Sequence, residues 1–313
     1  MEPNDEINAL LDKLQERYDK QNQPFQSYLE GLLYNEYVDY WNYINLDALL
    51  ALQNPRTYVK DEMIFVIYHQ ITELYFKLCL WEYDQVLTAI DPTADFLIAR
   101  LKRIINYFTN LTHSFAIMVD GMEPEQFLKF RLSLLPASGF QSAQYRMIEI
   151  ASTDLLNLVN LSEREKLKDA GVEEKFRYIY WKYGATVTET GEKSLTLRRF
   201  EDKYSESLTK WAAQHENNNL RSLYHKLPEA IKTNPELIAA YKELDQFINV
   251  RWPLVHFKSA VRYLKPDTSA TVAATGGTNW EKYLAPRIQL RVFFPELWTE
   301  DELKNWGKTS ANI

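Results

Sequence analysis

The stretch from residue 61 to 90 limits the fold more than any other part of the chain. Every position from Met63 to Tyr68 is apolar or aromatic, and Leu74-Tyr75-Phe76 and Leu78-Cys79-Leu80-Trp81 continue the run until Asp91-Pro92-Thr93 ends it. The run is far too long for a strand and reads as one helix. A helix that is apolar nearly all round is expected in the middle of something large. Only 9 glycines occur in 313 residues, which disfavours a fold built from many tight turns.

The remaining segments also favour helices. Residues 5–20 place Ile7, Leu10, Leu11, Leu14 and Tyr18 on one face. Residues 24–59 read as aromatic and irregular, with a break at Asn54-Pro55. Leu97, Leu101, Ile104, Ile105, Phe108, Leu111 and Phe115 mark a helix over 94–119, and Gly121 is a plausible stop. Pro124 suits the first turn of the next helix, which runs toward Leu135. After the break Pro136-Ala137-Ser138-Gly139, helical spacing resumes over 140–160, and Ser162 with Glu165 offers a capping box to a charged helix beyond it. Residues 184–200 read as a small hairpin or ordered loop around Thr190-Gly191. Helical spacing returns over 235–264 with one anomaly, Pro253, and 265–279 reads as a loop. No repeat or linker interrupts the chain. The expected architecture is all-α, a single-domain helical bundle over residues 1–313.

A net charge of -7 gives no electrostatic reason to expect a nucleic-acid partner. The acidic start Met1-Glu2-Pro3-Asn4-Asp5-Glu6 lacks the basic and apolar regions of a secretory signal. No stretch approaches 18 uncharged apolar residues, so no membrane span is expected. The single cysteine, Cys79, rules out an internal disulfide and a cysteine-based zinc site, and points to a reducing cytoplasm.

Chemistry has few candidates. Of five histidines, His215 sits in a polar run, and His113 and His225 lie on ordinary amphipathic helices. His69 lies inside the apolar helix, one turn from Phe65 and Glu73, where an imidazole needs a partner. His256 is flanked by Leu254, Val255, Phe257, Ala260 and Val261. A zinc site would need several ligands, whereas a haem iron needs one proximal imidazole and an apolar slot; a satisfied core histidine stays open for both positions. A carboxylate di-iron bundle would require Glu-x-x-His, but Val66, Asn110, Ala212, Ser222 and Pro253 precede the histidines by three. HExxH, GxSxG and phosphate-loop patterns are absent. Arg131, set among Phe130, Leu132, Leu134 and Leu135, would have to be paired if buried, by an internal acid or by a ligand carboxylate. Thr275-Gly276-Gly277 offers a hydroxyl and free amides in a loop.

Several of these segments stand in the order of a known family. Asp61-Glu62-Met63-Ile64-Phe65, His69-Gln70 and Glu73-Leu74-Tyr75-Phe76-Lys77 form one motif. Phe130-Arg131, Pro136-Ala137-Ser138-Gly139-Phe140-Gln141-Ser142, Gln144-Tyr145-Arg146 and Ile148-Glu149 form a second, highly specific one. Trp252, His256 and Arg262, then Thr275-Gly276-Gly277, and Tyr40-Trp41-Asn42-Tyr43 with Leu46-Asp47 complete the set. Over roughly residues 37–290 the chain resembles the tryptophan 2,3-dioxygenase family.

That resemblance implies a helical fold enclosing a b-type haem, ferrous in the active state, with His256 as the axial iron ligand. It implies that His69 accepts a hydrogen bond from the indole N–H of L-tryptophan, that Phe65 and Phe127 border the indole, and that Arg131 pairs with the carboxylate. Thr275 would help hold the amino-acid end and Ser138 would lie near the haem edge. The family is a homotetramer with exchanged N-terminal segments, so Tyr40 and Tyr43 would reach a neighbouring subunit's pocket, with about residues 1–59 exchanged. Both atoms of O2 would enter the product, N-formylkynurenine.

The chain departs from the family in places. Pro253 stands three residues before His256, the stretch from Arg262 to Thr275 is about five residues longer than usual, Ala274 replaces the first glycine of the loop, and a later glycine is missing near Asn279-Trp280. The altered loop leaves room for a related haem monooxygenase acting on a modified tryptophan or another aromatic amino acid. A non-catalytic haem sensor would not need Arg131 and His69 together.

Overall fold

The computed structural model describes residues 3–34, 38–186, 191–264 and 285–308. The chain divides into two compact units, Met1–Gln53 and Asn54–Ile313.

The first unit holds α1 (Pro3–Lys20), α2 (Phe25–Leu33), α3 (Tyr40–Tyr43) and α4 (Leu46–Leu50). Asp5 and Glu6 in the first turn of α1, and Arg17 and Lys20 in its last, complement the helix dipole. Tyr18 packs its ring 5.5 Å from Phe25 and 4.3 Å from Tyr28, tying α1 to α2. The stretch expected to be irregular thus contains short helices. Helices of four to nine residues cover too few turns for a 3.6-residue period to show in the sequence.

The second unit begins with α5 (Glu62–Thr88) and α6 (Ala94–Ser114), followed by α7 (Ala116–Val119) and α8 (Pro124–Arg131). Next come α9 (Ala143–Ser152), α10 (Leu155–Leu158), α11 (Val172–Arg177), α12 (Tyr180–Gly184), α13 (Leu195–Gln214), α14 (Leu220–Lys226) and α15 (Glu229–Lys232). It closes with α16 (Pro235–Gln246), α17 (Trp252–Leu264), α18 (Pro286–Gln289) and α19 (Glu300–Lys304). The fold is all-α; the β-pairing among the described residues is two isolated bridges, Val159 with Ile179 and Thr186 with Lys193.

The core forms where α5 packs on α6 and α9, and α6 on α16. Tyr68, Phe76, Cys79, Tyr83 and Val86 of α5 are buried there. Burial is confined to that side, contrary to the expectation of an all-round buried helix. Met63, Ile67, Ile71, Leu74, Leu78 and Trp81 are exposed and recur every three or four residues, forming one stripe. In length and composition α5 is also apolar enough to cross a membrane.

Local expectations differ in three further places. The Ser162–Glu165 capping box does not form: Ser162 Oγ instead donates to Asn160 Oδ1 at 3.0 Å and Glu163 Oε1 at 3.1 Å, and the segment runs as turns. Asn160 competes for the hydroxyl and holds the backbone in a turn. At 184–200 the single Thr186–Lys193 bridge is the only strand-like pairing described, and α13 starts at Leu195 with Ser194 accepting from Leu197 N–H. Residues 187–190, at the expected tip, lie outside the described residues.

Pro253 stands at the second position of α17, inside a continuous helical run. The helix runs from α16 into α17 through a π-turn, Phe247–Arg251, in which Trp252 N–H bonds the Phe247 carbonyl five residues back. An interior proline clashes with the carbonyl four residues before it and lacks an N–H to give. The wider turn just upstream removes that conflict, so the helix continues to Leu264.

Candidate active site

A cavity of about 600 Å³ lies within the second unit. Its walls come from residues whose helical spacing puts them on one face. Phe65, His69, Thr72 and Phe76 line it from α5; Trp252, His256, Ser259 and Tyr263 line it from α17. Phe127 and Arg131, one turn apart on α8, form a third side, and the Ser138–Ser142 turn with Tyr145 and Arg146 of α9 a fourth. The volume falls in the range of cofactor and small-molecule sites.

The two histidines are oriented alike. His69 Nδ1 lies 2.7 Å from the Phe65 carbonyl, and His256 Nδ1 lies 2.9 Å from the Trp252 carbonyl. A carbonyl can only accept, so each Nδ1 carries the proton, and each Nε2 keeps its lone pair while the ring is neutral. Burial holds both rings neutral: it lowers the His69 pKa, and it pushes His256 down to about 4, helped by repulsion from His69. His215 makes the same bond to Trp211, so the bond alone does not mark a site; His215 is not among the cavity residues.

Aromatic packing fixes the rings. His69 lies 4.1 Å from Phe65, and His256 lies 4.4 Å from Phe115 and 4.3 Å edge-on from Trp252. Phe127 lies 6.3 Å from Phe65 and 4.7 Å from Tyr263. The Tyr263 hydroxyl serves the carbonyls of Met118 (2.7 Å), Met122 (3.2 Å) and Val119 (3.3 Å), which fastens α17 to the α7–α8 junction.

The polar wall carries positive charge. Arg131 is 6% exposed, and burial pulls its pKa down, although a guanidinium stays charged at neutral pH. Beyond it, Glu149 is fully buried between Arg146, at 2.8 Å, and Arg291. Tyr180 donates to Glu149 at 2.6 Å and accepts from both arginines. Ser138 caps the short turn Gly139–Gln141 in a capping box with Gln141, and Gln141 reaches on to the Thr196 carbonyl at 3.0 Å. That network shapes the wall between α8 and α9.

The structure therefore brings together Phe65, His69, Phe127, Arg131, Ser138 and His256 around one cavity. Tyr40 and Tyr43 are exposed on α3 in the first unit. Thr275, with Gly276 and Gly277, lies outside the described residues. Sequence reasoning assigned nothing to Tyr180, Arg291 or Asp245. Arg146 and Glu149, three apart, stand in one motif, but Tyr180 and Arg291 reach Glu149 from 31 and 142 residues away and carry no local signal.

The model of the tryptophan 2,3-dioxygenase family matches residues 19–219, well over half of the chain. The chain belongs to the tryptophan 2,3-dioxygenase family. Among curated family members, tryptophan 2,3-dioxygenase of Bradyrhizobium sp. (strain BTAi1) is 29% identical over 287 residues, covering 88% of this chain and 97% of that protein. The enzymes of Shewanella woodyi and of Ruegeria sp. (strain TM1040) are 28% and 26% identical, each over 84% of this chain and 90% and 91% of their own lengths. A stretch of 141 residues is 39% identical to tryptophan 2,3-dioxygenase 2 of Ralstonia nicotianae, covering 42% of this chain and 36% of that one.

Proposed function

We propose that this chain is a haem-dependent tryptophan 2,3-dioxygenase, inserting both atoms of O2 across the indole C2–C3 bond of L-tryptophan to give N-formylkynurenine. The observation that carries the reading is the pairing of two neutral, backbone-anchored imidazoles, His69 and His256, in one largely apolar cavity beside a buried arginine.

The cavity suits a haem. His256 presents a neutral Nε2, the form a metal ligand requires, and its Nδ1–H bond to Trp252 fixes tautomer and direction. Phe76, Phe115, Met118 and Trp252 supply apolar walls. Bound there, ferrous haem b supplies the O2-binding iron and the redox chemistry of ring opening.

The chain's own residues place the substrate. His69 Nε2 accepts from the indole N–H, because its Nδ1 proton is already committed to Phe65. Phe65 and Phe127 border the indole. Arg131 pairs with the carboxylate in a two-pronged bond, and fixing both ends of the molecule is worth several kcal/mol of positioning. Ser138 stands near the haem edge, and Thr275, Tyr40 and Tyr43 complete the polar end, the tyrosines from a neighbouring subunit.

A homotetramer is part of the proposal. The exposed stripe Met63-Ile67-Ile71-Leu74-Leu78-Trp81 on α5 supports it, since a chain that stays monomeric rarely leaves such a stripe in water. The buried free thiol of Cys79 fits a cytoplasmic setting.

Replacement of His256 by alanine tests the axial assignment. The folded variant should fail to retain haem on gel filtration, whereas a normal haem content would place the iron elsewhere.

A further inference from the structure

Asp245 is completely buried in the last turn of α16, and its carboxylate gathers donors from two sides. From the π-turn, Asn249 Nδ2 donates at 2.7 Å. From the C-terminal segment, Phe293 N–H donates at 3.0 and 3.1 Å to the two oxygens, Phe294 N–H at 3.2 Å and Trp298 Nε1–H at 3.0 Å. An ionised carboxylate only accepts and offers about four lone-pair sites, so this set saturates it. Around it, Val250 and Leu254 pack with Val292, Trp298, Leu303 and Trp306 in a separate apolar cluster. The C-terminal segment is thereby clamped to the π-turn.

The π-turn ends one peptide short of the support of His256. Trp252 N–H closes the wide turn on the Phe247 carbonyl, and the Trp252 carbonyl takes the His256 Nδ1–H. A π-turn is rare and recurs at functional sites. This one also leaves Asn249 Oδ1 buried with no hydrogen bond among the described residues, a local cost. The arrangement thus needs holding from outside the helix. Asp245 does not line the cavity, but it bonds both to the turn and to the segment packed against it.

We infer that Asp245 is a positioning residue for the iron ligand: by fastening Asn249 and the Phe293–Trp298 segment across the π-turn, it fixes the Trp252 carbonyl and, through it, the direction of His256. The inference rests on the reading of His256 as the haem ligand. The same clamp sets Arg291, two residues before Phe293, against Glu149 and against Tyr180, which lines the cavity.

The test compares the haem-loaded full chain with Asp245→Asn, which keeps the volume but turns an NH2 group toward N–H donors. The iron–histidine stretching band of the reduced protein reports the orientation and hydrogen bonding of the imidazole, which a merely structural role would leave in place. In Asp245→Asn the band should shift or split, and haem should transfer to apomyoglobin about tenfold faster or more, both measured well below the unfolding temperature. Trp298→Phe removes one donor and keeps a smaller aromatic side chain; it should move the same band by less, and it serves if Asp245→Asn does not fold. A lower unfolding temperature with band and transfer rate unchanged in the folded variants would overturn the inference. A wild-type chain that takes up no haem would overturn the functional reading itself, and the inference with it.

Discussion

His69 and His256 show how a single proton decides what a residue can do. Each gives its Nδ1 proton to the carbonyl four residues back, so each offers a lone pair to the cavity. Both histidines and Arg131 were legible in the sequence as polar groups in apolar surroundings. Their convergence was legible only through the family resemblance, because no local pattern encodes the meeting of α5, α8 and α17. Arg131→Ala should raise the Michaelis constant for L-tryptophan about tenfold to a hundredfold with haem content unchanged, since a charge-assisted bond is lost. Steady-state kinetics decide it, and an unchanged constant would place the carboxylate elsewhere. Asp245 supplies a pH test. Burial pushes its pKa up to about 6, against the pull of its N–H donors. The folded chain therefore holds a proton that the unfolded chain has lost between about pH 4 and 6, so this residue's contribution to stability falls as pH rises through that window. Urea unfolding of wild type and Asp245→Asn at pH 4.5 and 6.5 should show the larger fall in the wild type; parallel changes would contradict it.

At the level of elements, the long helices could be read from their spacing, and α5, α6 and α16 stand close to where periodicity puts them. Pro253 shows what periodicity misses. The proline announces a conflict, but its resolution by a π-turn five residues long depends on Asp245 and on a segment more than 40 residues downstream. The Ser162–Glu165 motif failed for a related reason, since Asn160 captured the hydroxyl first. Tyr263 is another contact without a sequence signal, reaching carbonyls more than 140 residues away. Tyr263→Phe should cost about 1 kcal/mol by leaving those carbonyls short of a donor. Calorimetry should show a transition lowered by a few degrees, and L-tryptophan should bind more weakly because Phe127 packs on that ring. An unchanged transition would mean that solvent replaces the hydroxyl.

For the molecule as a whole, the sequence foretold an all-α chain but not which side of α5 faces its own core. Apolar residues on both sides of a helix look the same in sequence whether a neighbouring helix or another subunit covers them. The division at Gln53 falls beside the break read at Asn54-Pro55 and within the segment, about residues 1–59, that the resemblance sets apart. If the chain is a tetramer joined through the exposed stripe, Leu74→Glu with Leu78→Glu should split it into smaller species by light scattering while each chain keeps its helical circular dichroism. A tetramer that survives both charges would place the interface elsewhere.

The most direct test of the function is to supply the reduced, haem-loaded chain with L-tryptophan under ¹⁸O2 and weigh the product. A dioxygenase gives N-formylkynurenine carrying two labelled oxygen atoms. A product with one labelled atom, or unchanged tryptophan beside a normal haem spectrum, would rule out dioxygenase activity.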